Sequence, residues 1–292
     1  MEKLIKSIQE ALQLPNAKVT KIFPAGGMTN LNYIATIDSE QYVVRIAGKG
    51  TEALINREEE KKSLQHASKL GINPELCYFN EKTGLKITRK IMHSETMTAE
   101  IAKQEEMMGR VATIFRTLHF SNEQMDIRFK LFELIIRYER LALEAHAIFY
   151  EGFKEVKKSV QSLKRRYEQL NPQEVHCHID PTYSNFIFSE EGKLYLIDWE
   201  YSGVFDPIWD IAAYSLEAGL SNMEESYFLK VYFQREVSKL EQERILLHKI
   251  FQDFLWSLWT LFKEERGDDF GAYGKNRFER AKQNIDIYNH TF

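Results

Sequence analysis

Residues 175–199 constrain the fold more than any other part of the chain. Apolar runs there flank Ser189-Glu190-Glu191-Gly192, as the two strands of a hairpin would. The flanking sequence reads differently. Residues 97–119 and 129–170 contain no proline and only Gly109 and Gly152, with apolar residues at helical spacing, and helical signal resumes after the hairpin. The second half therefore reads as mostly helix, interrupted by one hairpin.

The first third of the chain is strand-rich. An amphipathic helix with Leu4, Ile5, Ile8 and Leu12 on one side precedes three strand-like runs at 19–23, 33–37 and 42–46. The first two are separated by Ala25, Gly26, Gly27, Met28, Thr29 and Asn30, and together the three read as an antiparallel meander. Residues 52–70 have a helical period, with Leu54, Leu64, Ala67 and Leu70 on one side, and end at Gly71 ahead of Pro74. A further strand pair brackets the Glu81-Lys82-Thr83-Gly84 turn. The expected fold class is α+β in two lobes with a cleft between them. Residues 1–92 form a small antiparallel-sheet lobe, and residues 93–292 a larger helical lobe.

Composition removes several function classes. The 39 basic and 43 acidic side chains leave a net charge of −4, and no basic segment is interleaved with aromatics, so nucleic acid is not an expected partner. Cys77 and Cys177 are too few and too far apart for a disulfide framework or a structural zinc site, which fits a reducing compartment. His176 and His178 flank Cys177, but neighbours on extended chain point to opposite faces and no further ligand cluster follows. The N-terminus lacks a signal-peptide core, and no run reaches the length of a membrane span. The expectation is a cytoplasmic enzyme without membrane insertion, and nothing points to a protein partner.

The chemistry is concentrated in residues 178–198. Phosphoryl transfer requires a group that orients and deprotonates the acceptor hydroxyl, and hard oxygen ligands for the magnesium that neutralises the phosphates. His178-Ile179-Asp180-Pro181-Thr182-Tyr183-Ser184-Asn185 has the H-x-D-x-x-x-x-N spacing of a kinase catalytic loop, and Asp198 follows 13 residues after Asn185 across the hairpin. In that arrangement Asp180 accepts the substrate proton, while Asn185 and Asp198 ligate Mg²⁺. His178 is expected to brace the loop by hydrogen bonding.

With these motifs in place the chain resembles the choline/ethanolamine kinase family, and within it the bacterial choline kinases of the LicA type. The wider group includes the aminoglycoside phosphotransferases and has the protein-kinase-like fold. The resemblance covers most of the chain and rests on Gly26 to Asn30, Val43-Val44-Arg45, Ile55 to Glu60, the 178–185 loop, Ile197-Asp198-Trp199-Glu200-Tyr201 and Asp210 to Glu217. Trp256-Ser257-Leu258-Trp259 and Phe270-Gly271-Ala272-Tyr273 complete it. It implies that Gly26, Gly27, Thr29 and Asn30 cover the ATP phosphates. It also implies that Arg45 pairs with them from the position of the usual kinase lysine, with Glu60 as its helical partner. Glu58 and Glu59 are equally available by composition. The connection between lobes, with Arg89, Lys90 and Ile91, would offer backbone groups to adenine. Asp210 would anchor the catalytic loop. Ile179 stands where a protein kinase has arginine and Trp199-Glu200 where it has Phe-Gly, which favours a small-molecule acceptor.

A quaternary ammonium donates no N–H hydrogen bond and is held by ring faces and nearby carboxylates. Trp256 and Trp259 lie at i and i+3 on one helical face, and Phe270, Tyr273 and Tyr201 add rings, with Glu217 and Asp180 as sources of negative charge. All fall at the positions that the resemblance gives to a choline pocket, although a Trp-x-x-Trp pair also suits a hydrophobic core. ATP with Mg²⁺ as cofactor and choline as substrate is the leading expectation. Ethanolamine, another amino-alcohol or an aminoglycoside, and a catalytically silent cation-binding protein, are the alternatives.

Overall fold

The computed structural model describes residues 2–25, 30–48, 55–121 and 125–292. Helix α1 (Glu2–Ala11) buries Ile8 beneath the first lobe's sheet. Strands β1 (Val19–Pro24), β2 (Leu31–Ile37) and β3 (Glu40–Ile46) pair as the expected antiparallel meander. The β2–β3 turn is made by Asp38 and Ser39, both at positive φ, which matches the right-handed twist of the strands it joins. Helix α2 (Arg57–Lys69) begins later than the 52–70 pattern suggests. Asn56 stops it there: its side-chain oxygen accepts the N–H groups of Glu58 at 3.1 Å and Glu59 at 3.4 Å, and residues 55 and 56 are not helical. Leu54 lies outside the described residues.

Strands β4 (Leu76–Phe79) and β5 (Lys86–Arg89) bracket the 81–84 turn and complete a five-stranded sheet in the order β1-β2-β3-β5-β4. Ala35, Ile37, Val44 and Ile87 face α1 and form this lobe's core. Alternation along the strands sends Arg45 and Lys86, directly opposite each other in the β3–β5 register, to the other face.

The second lobe opens with β6 (Glu95–Thr96), α3 (Ala99–Ala102), α4 (Glu105–His119), α5 (Leu131–Glu144) and α6 (Phe153–Leu170). The 97–119 and 129–170 tracts are thus each broken once. The break before α6 turns through His146 at φ 62° and Gly152 at φ 80°. Strand β7 (Val175–Cys177) precedes the hairpin of β8 (Phe186–Phe188) and β9 (Leu194–Leu196), and β10 (Gly203–Phe205) follows it. The hairpin forms as expected, but β7 pairs with β10, and β8 takes β6 as its second neighbour. Helices α7 (Ile208–Ala218), α8 (Asn222–Phe233), α9 (Lys239–Glu264) and α10 (Tyr273–Thr291) finish the lobe.

Two large cores and a smaller cluster of Ala142, Leu261 and Phe262 are found among the described residues of this lobe. Phe251, Phe254 and Leu255 of α9 pack with Trp209 and Phe278 in one. In the other, Leu64 and Ala67 of α2 pack with Phe186, Leu196 and Trp199, so the first lobe's helix is docked on the second lobe's hairpin. That shared core brings Glu60, one turn before Leu64, towards Asp198. Among the described residues, no helix is long and apolar enough to cross a membrane.

Candidate active site

The 178–185 loop is held from beneath by α7. Asp210, fully buried in the first turn of α7, accepts the N–H of His178 at 2.7 Å and of Ile179 at 2.8 Å, and its carboxylate also meets His119 Nε2 at 3.0 Å. Trp209 Nε1 donates to the Ile179 carbonyl at 2.8 Å. Buried His178, kept neutral because burial lowers its affinity for a proton, donates through Nε2 to the Ile197 carbonyl at 2.9 Å and so ties the loop to the end of the hairpin. His176 points instead to Ser202 at 2.7 Å, on the far side of the strand.

Asn185 closes a 3-10 turn (Tyr183–Asn185) and spends its amide nitrogen on the Asp180 carbonyl at 2.9 Å, which leaves its side-chain oxygen for other partners. Asp198 sits at φ 68°, and its buried Oδ1 has no hydrogen-bond partner. Two hard oxygen donors on a fixed frame, one of them an unsatisfied buried carboxylate atom, suit a magnesium ion. Asp180 shares this frame, its backbone carbonyl accepting from the Asn185 amide. Enclosure at the base of the cleft and the charge of Asp198 lift its carboxyl to about 7, against the pull of Arg277.

The roof of the cleft is a cluster of opposite charges. Arg45 Nη1 forms an ion pair with Glu60 Oε1 at 2.5 Å and lies 3.6 Å from Glu200 Oε2 and 3.9 Å from Asp198 Oδ1. Arg57 Nη1 meets Glu60 Oε2 at 2.6 Å and Glu200 Oε2 at 3.7 Å, and Lys86 Nζ is 3.8 Å from Glu60 Oε1. Burial would lift Glu60, yet Lys86, then Arg45 and Arg57, hold it below the usual carboxylate range. Glu58 and Glu59 make the N-terminal turn of α2, so the helix phase selects Glu60 as the inward acid. Asn30 is a strut in this roof: it donates to Glu200 at 3.3 Å and accepts the Gly48 N–H at 3.2 Å. Gly26, Gly27 and Thr29 lie outside the described residues. In the connection between lobes, the N–H groups of Arg89 and Lys90 are taken by the carbonyls of Glu75 and Gln41, each at 2.9 Å. The Ile91 carbonyl accepts from Ser94 Oγ at 2.9 Å. The Arg89 side chain turns outward to Glu40 and Glu75.

In the second lobe a set of rings stands in sequence. Tyr201 meets Trp256 edge-on with centroids 5.6 Å apart, Trp256 meets Trp259 at 6.2 Å, and Trp259 meets Phe270 at 4.9 Å. Phe270 is placed by a turn in which Gly271, at φ 56°, donates its N–H to Asp269 at 2.9 Å. Tyr273 belongs to a neighbouring group. Its hydroxyl donates to Glu217 at 3.3 Å, and the Arg277 guanidinium lies over its ring at 4.8 Å while pairing with both Glu217 and Asp253. Gly274 permits this approach of α10 to α9, since a Cβ there would stand 2.7 Å from Thr260 Cβ. The charge of Asp180 is felt at Tyr201, Tyr273 and Arg277, which ties the wall to the loop.

The 178–185 loop, the charged cluster around Arg45 and the series of rings are thus linked through Asp198 and Asp180. The choline/ethanolamine kinase family model matches residues 20–244. The chain belongs to the choline/ethanolamine kinase family. Protein LicA of Haemophilus influenzae is 31% identical over 264 residues, which span 88% of this chain and 77% of that protein. The solved choline kinase LicA from Streptococcus pneumoniae is 39% identical, superimposes with a TM-score of 0.85, and matches over 98% of this chain and 99% of its own. An aminoglycoside phosphotransferase solved as a streptomycin–ATP ternary complex is 14% identical with a TM-score of 0.66 over 96% of this chain and 95% of its own, and shares the fold. The architecture is therefore the protein-kinase-like one of two lobes, and the family is one of ATP-dependent kinases.

Relative to this kinase family's motifs, the residues that sequence reasoning overlooked are charged and buried. Glu200, adjacent to the Asp198 motif, is pushed up by burial and by Asp198, against Arg45 and Arg57. Lys86 gives no sign of its role in the sequence, because a lysine in a four-residue strand reads as solvated. Arg277 stands at i+4 from Tyr273 on α10, a spacing that could have marked it.

Proposed function

We propose that this kinase transfers the γ-phosphoryl group of ATP to the hydroxyl of choline, giving phosphocholine and ADP. The observation that supports the reading is the electrostatic link of Asp180 to Asp198 on the one hand and to Tyr201 and Tyr273 on the other, with Tyr201 leading through Trp256 and Trp259 to Phe270. Asp180 accepts the proton of the choline hydroxyl while its oxygen bonds to the γ-phosphorus. The bond from that phosphorus to the bridging oxygen breaks, and ADP leaves with the electron pair. Asn185 and Asp198 would hold Mg²⁺, which when bound supplies positive charge to the phosphates. Arg45, positioned by Glu60, meets the phosphates, Gly26, Gly27, Thr29 and Asn30 cover them, and the 89–91 connection borders adenine.

The ring wall supports choline over ethanolamine. A primary ammonium brings three donors, whereas Glu217, the carboxylate of the neighbouring group, already accepts from Tyr273 and pairs with Arg277. The test is an ADP-release assay across choline, ethanolamine, thiamine and kanamycin. Choline should have the highest kcat/KM; a higher value for ethanolamine reverses the assignment. Stabilisation by MgATP with no ADP release for any amine identifies a silent binding protein.

A further inference from the structure

We propose that Lys86 is a positioning residue for the nucleotide: it holds the Glu60 carboxylate so that Arg45 is free to turn to the phosphates. This deepens the reading of the cleft as an ATP site and rests on it. Lys86 stands opposite Arg45 in the β3–β5 register, on the same face of the sheet, with a side chain only 12% exposed. A lysine so close to two buried arginines is unfavourable unless a carboxylate compensates it. Glu60 is that carboxylate. Its Oε1 faces Arg45 at 2.5 Å and Lys86 at 3.8 Å, while its Oε2 is held by Arg57 at 2.6 Å.

The division of the two oxygens matters. If Arg45 moves to a phosphate, Oε2 keeps Arg57, but Oε1 depends on Lys86. Stranding a buried carboxylate oxygen would oppose that movement and weaken nucleotide binding. Arg45 keeps a donor for a further partner: Nε is buried without a hydrogen-bond partner, and Nη2 makes a long bond of 3.4 Å to the Gly84 carbonyl. Its close ion pair with Glu60 is the contact that a phosphate would have to replace. The roof sets Arg45, Arg57 and Lys86 among the carboxyl groups of Glu60, Asp198 and Glu200. Lys86 stands with Arg45 and Arg57 among the cations that hold Glu60 below the usual carboxylate range.

The experiment compares wild type, K86M, K86R, E60Q and K86M/E60Q by ADP release, with MgATP and amine varied separately, and by thermal unfolding with and without MgATP. K86M should raise the KM for MgATP about tenfold, the worth of one charge-assisted contact. The KM for the amine should stay within about twofold, as expected for separate sites. K86R should restore the MgATP value. In the E60Q background, K86M should change the MgATP KM by less than about twofold, because the carboxylate it serves is gone. An equal rise in both backgrounds would mean that Lys86 touches the nucleotide itself, and overturns the proposal. So does a K86M protein that loses thermal stability while its MgATP KM is unchanged. K86Q replaces K86M if the latter does not fold. A wild type that MgATP fails to stabilise removes the ATP reading of the cleft; a wild type stabilised to the same extent as K86M removes only the role of Lys86.

Discussion

Asp210 accepts the backbone N–H of Ile179 at 2.8 Å and so holds a β-branched residue at φ 76°. Such a conformation costs about 1–3 kcal/mol and persists only where the surroundings over-determine it. Here the surroundings are the two N–H bonds to Asp210 and the Trp209 indole on the Ile179 carbonyl. The strain is spent next to Asp180.

D210N should therefore harm activity and stability together. An amide presents one acceptor oxygen in place of two, leaving a buried loop N–H unsatisfied at about 1–3 kcal/mol. Urea unfolding should show that loss, and kcat should fall at least about tenfold with a small change in the KM for MgATP. Full kcat with lowered stability would show that the loop keeps its shape without this anchor.

D180A should reduce turnover by about 10²–10⁴-fold, the range for loss of a general base. Stabilisation by MgATP should survive, since the role proposed for Asp180 is at the acceptor. Substantial residual turnover with choline would remove Asp180 from its role.

The pH dependence follows from the same carboxyl. With Asp180 lifted to about 7, kcat/KM should rise with pH through an acid limb near that value, and saturating Mg²⁺ on Asp198 should move the limb lower by offsetting the charge that raised it. Stability runs the other way. The folded state binds this proton more tightly than the unfolded chain, so folding loses free energy as pH rises from the ordinary aspartate range to about 7. D180N should thus unfold at a higher temperature than wild type at about pH 8, with the gap closing towards about pH 4. An equal gap at both pH values contradicts the lifted carboxyl.

Trp256 and Trp259 should separate packing from binding. Trp256 is 7% exposed within the α9 core, so W256A should cost about 3–5 kcal/mol of stability. Trp259 is half-buried beside Phe270, and W259A should raise the KM for choline about tenfold or more at a smaller stability cost. W259F should recover most of the affinity. If W259A lowers the unfolding temperature and leaves the choline KM alone, the ring is core and not cage.

Arg277 joins α7, α9 and α10 through Glu217, Asp253 and its own helix. R277M should cost about 3–5 kcal/mol, the range for breaking a buried ion pair by removing one partner. The loss is measured by urea unfolding, and a cost under about 1 kcal/mol would mean that Arg280 alone satisfies Asp253.

What the chain decides locally was legible along it. The meander, the hairpin around 189–192 and the long helices follow from periods of 2 and 3.6 residues that need no knowledge of distant partners. The spacing of Asp180, Asn185 and Asp198 is legible for the same reason, because one loop and one hairpin carry all three. Tertiary structure decided the rest. Docking of α2 on Trp199 and Leu196 turned Glu60 inward and left Glu58 and Glu59 at the helix end. Strand β7 left the hairpin for β10, a pairing with no short-range signal. Lys86, Glu200 and Arg277 look like surface charges in the sequence. Their meaning lies in partners as remote as Glu60 from Lys86 or Glu217 from Arg277, and burial makes such pairs matter.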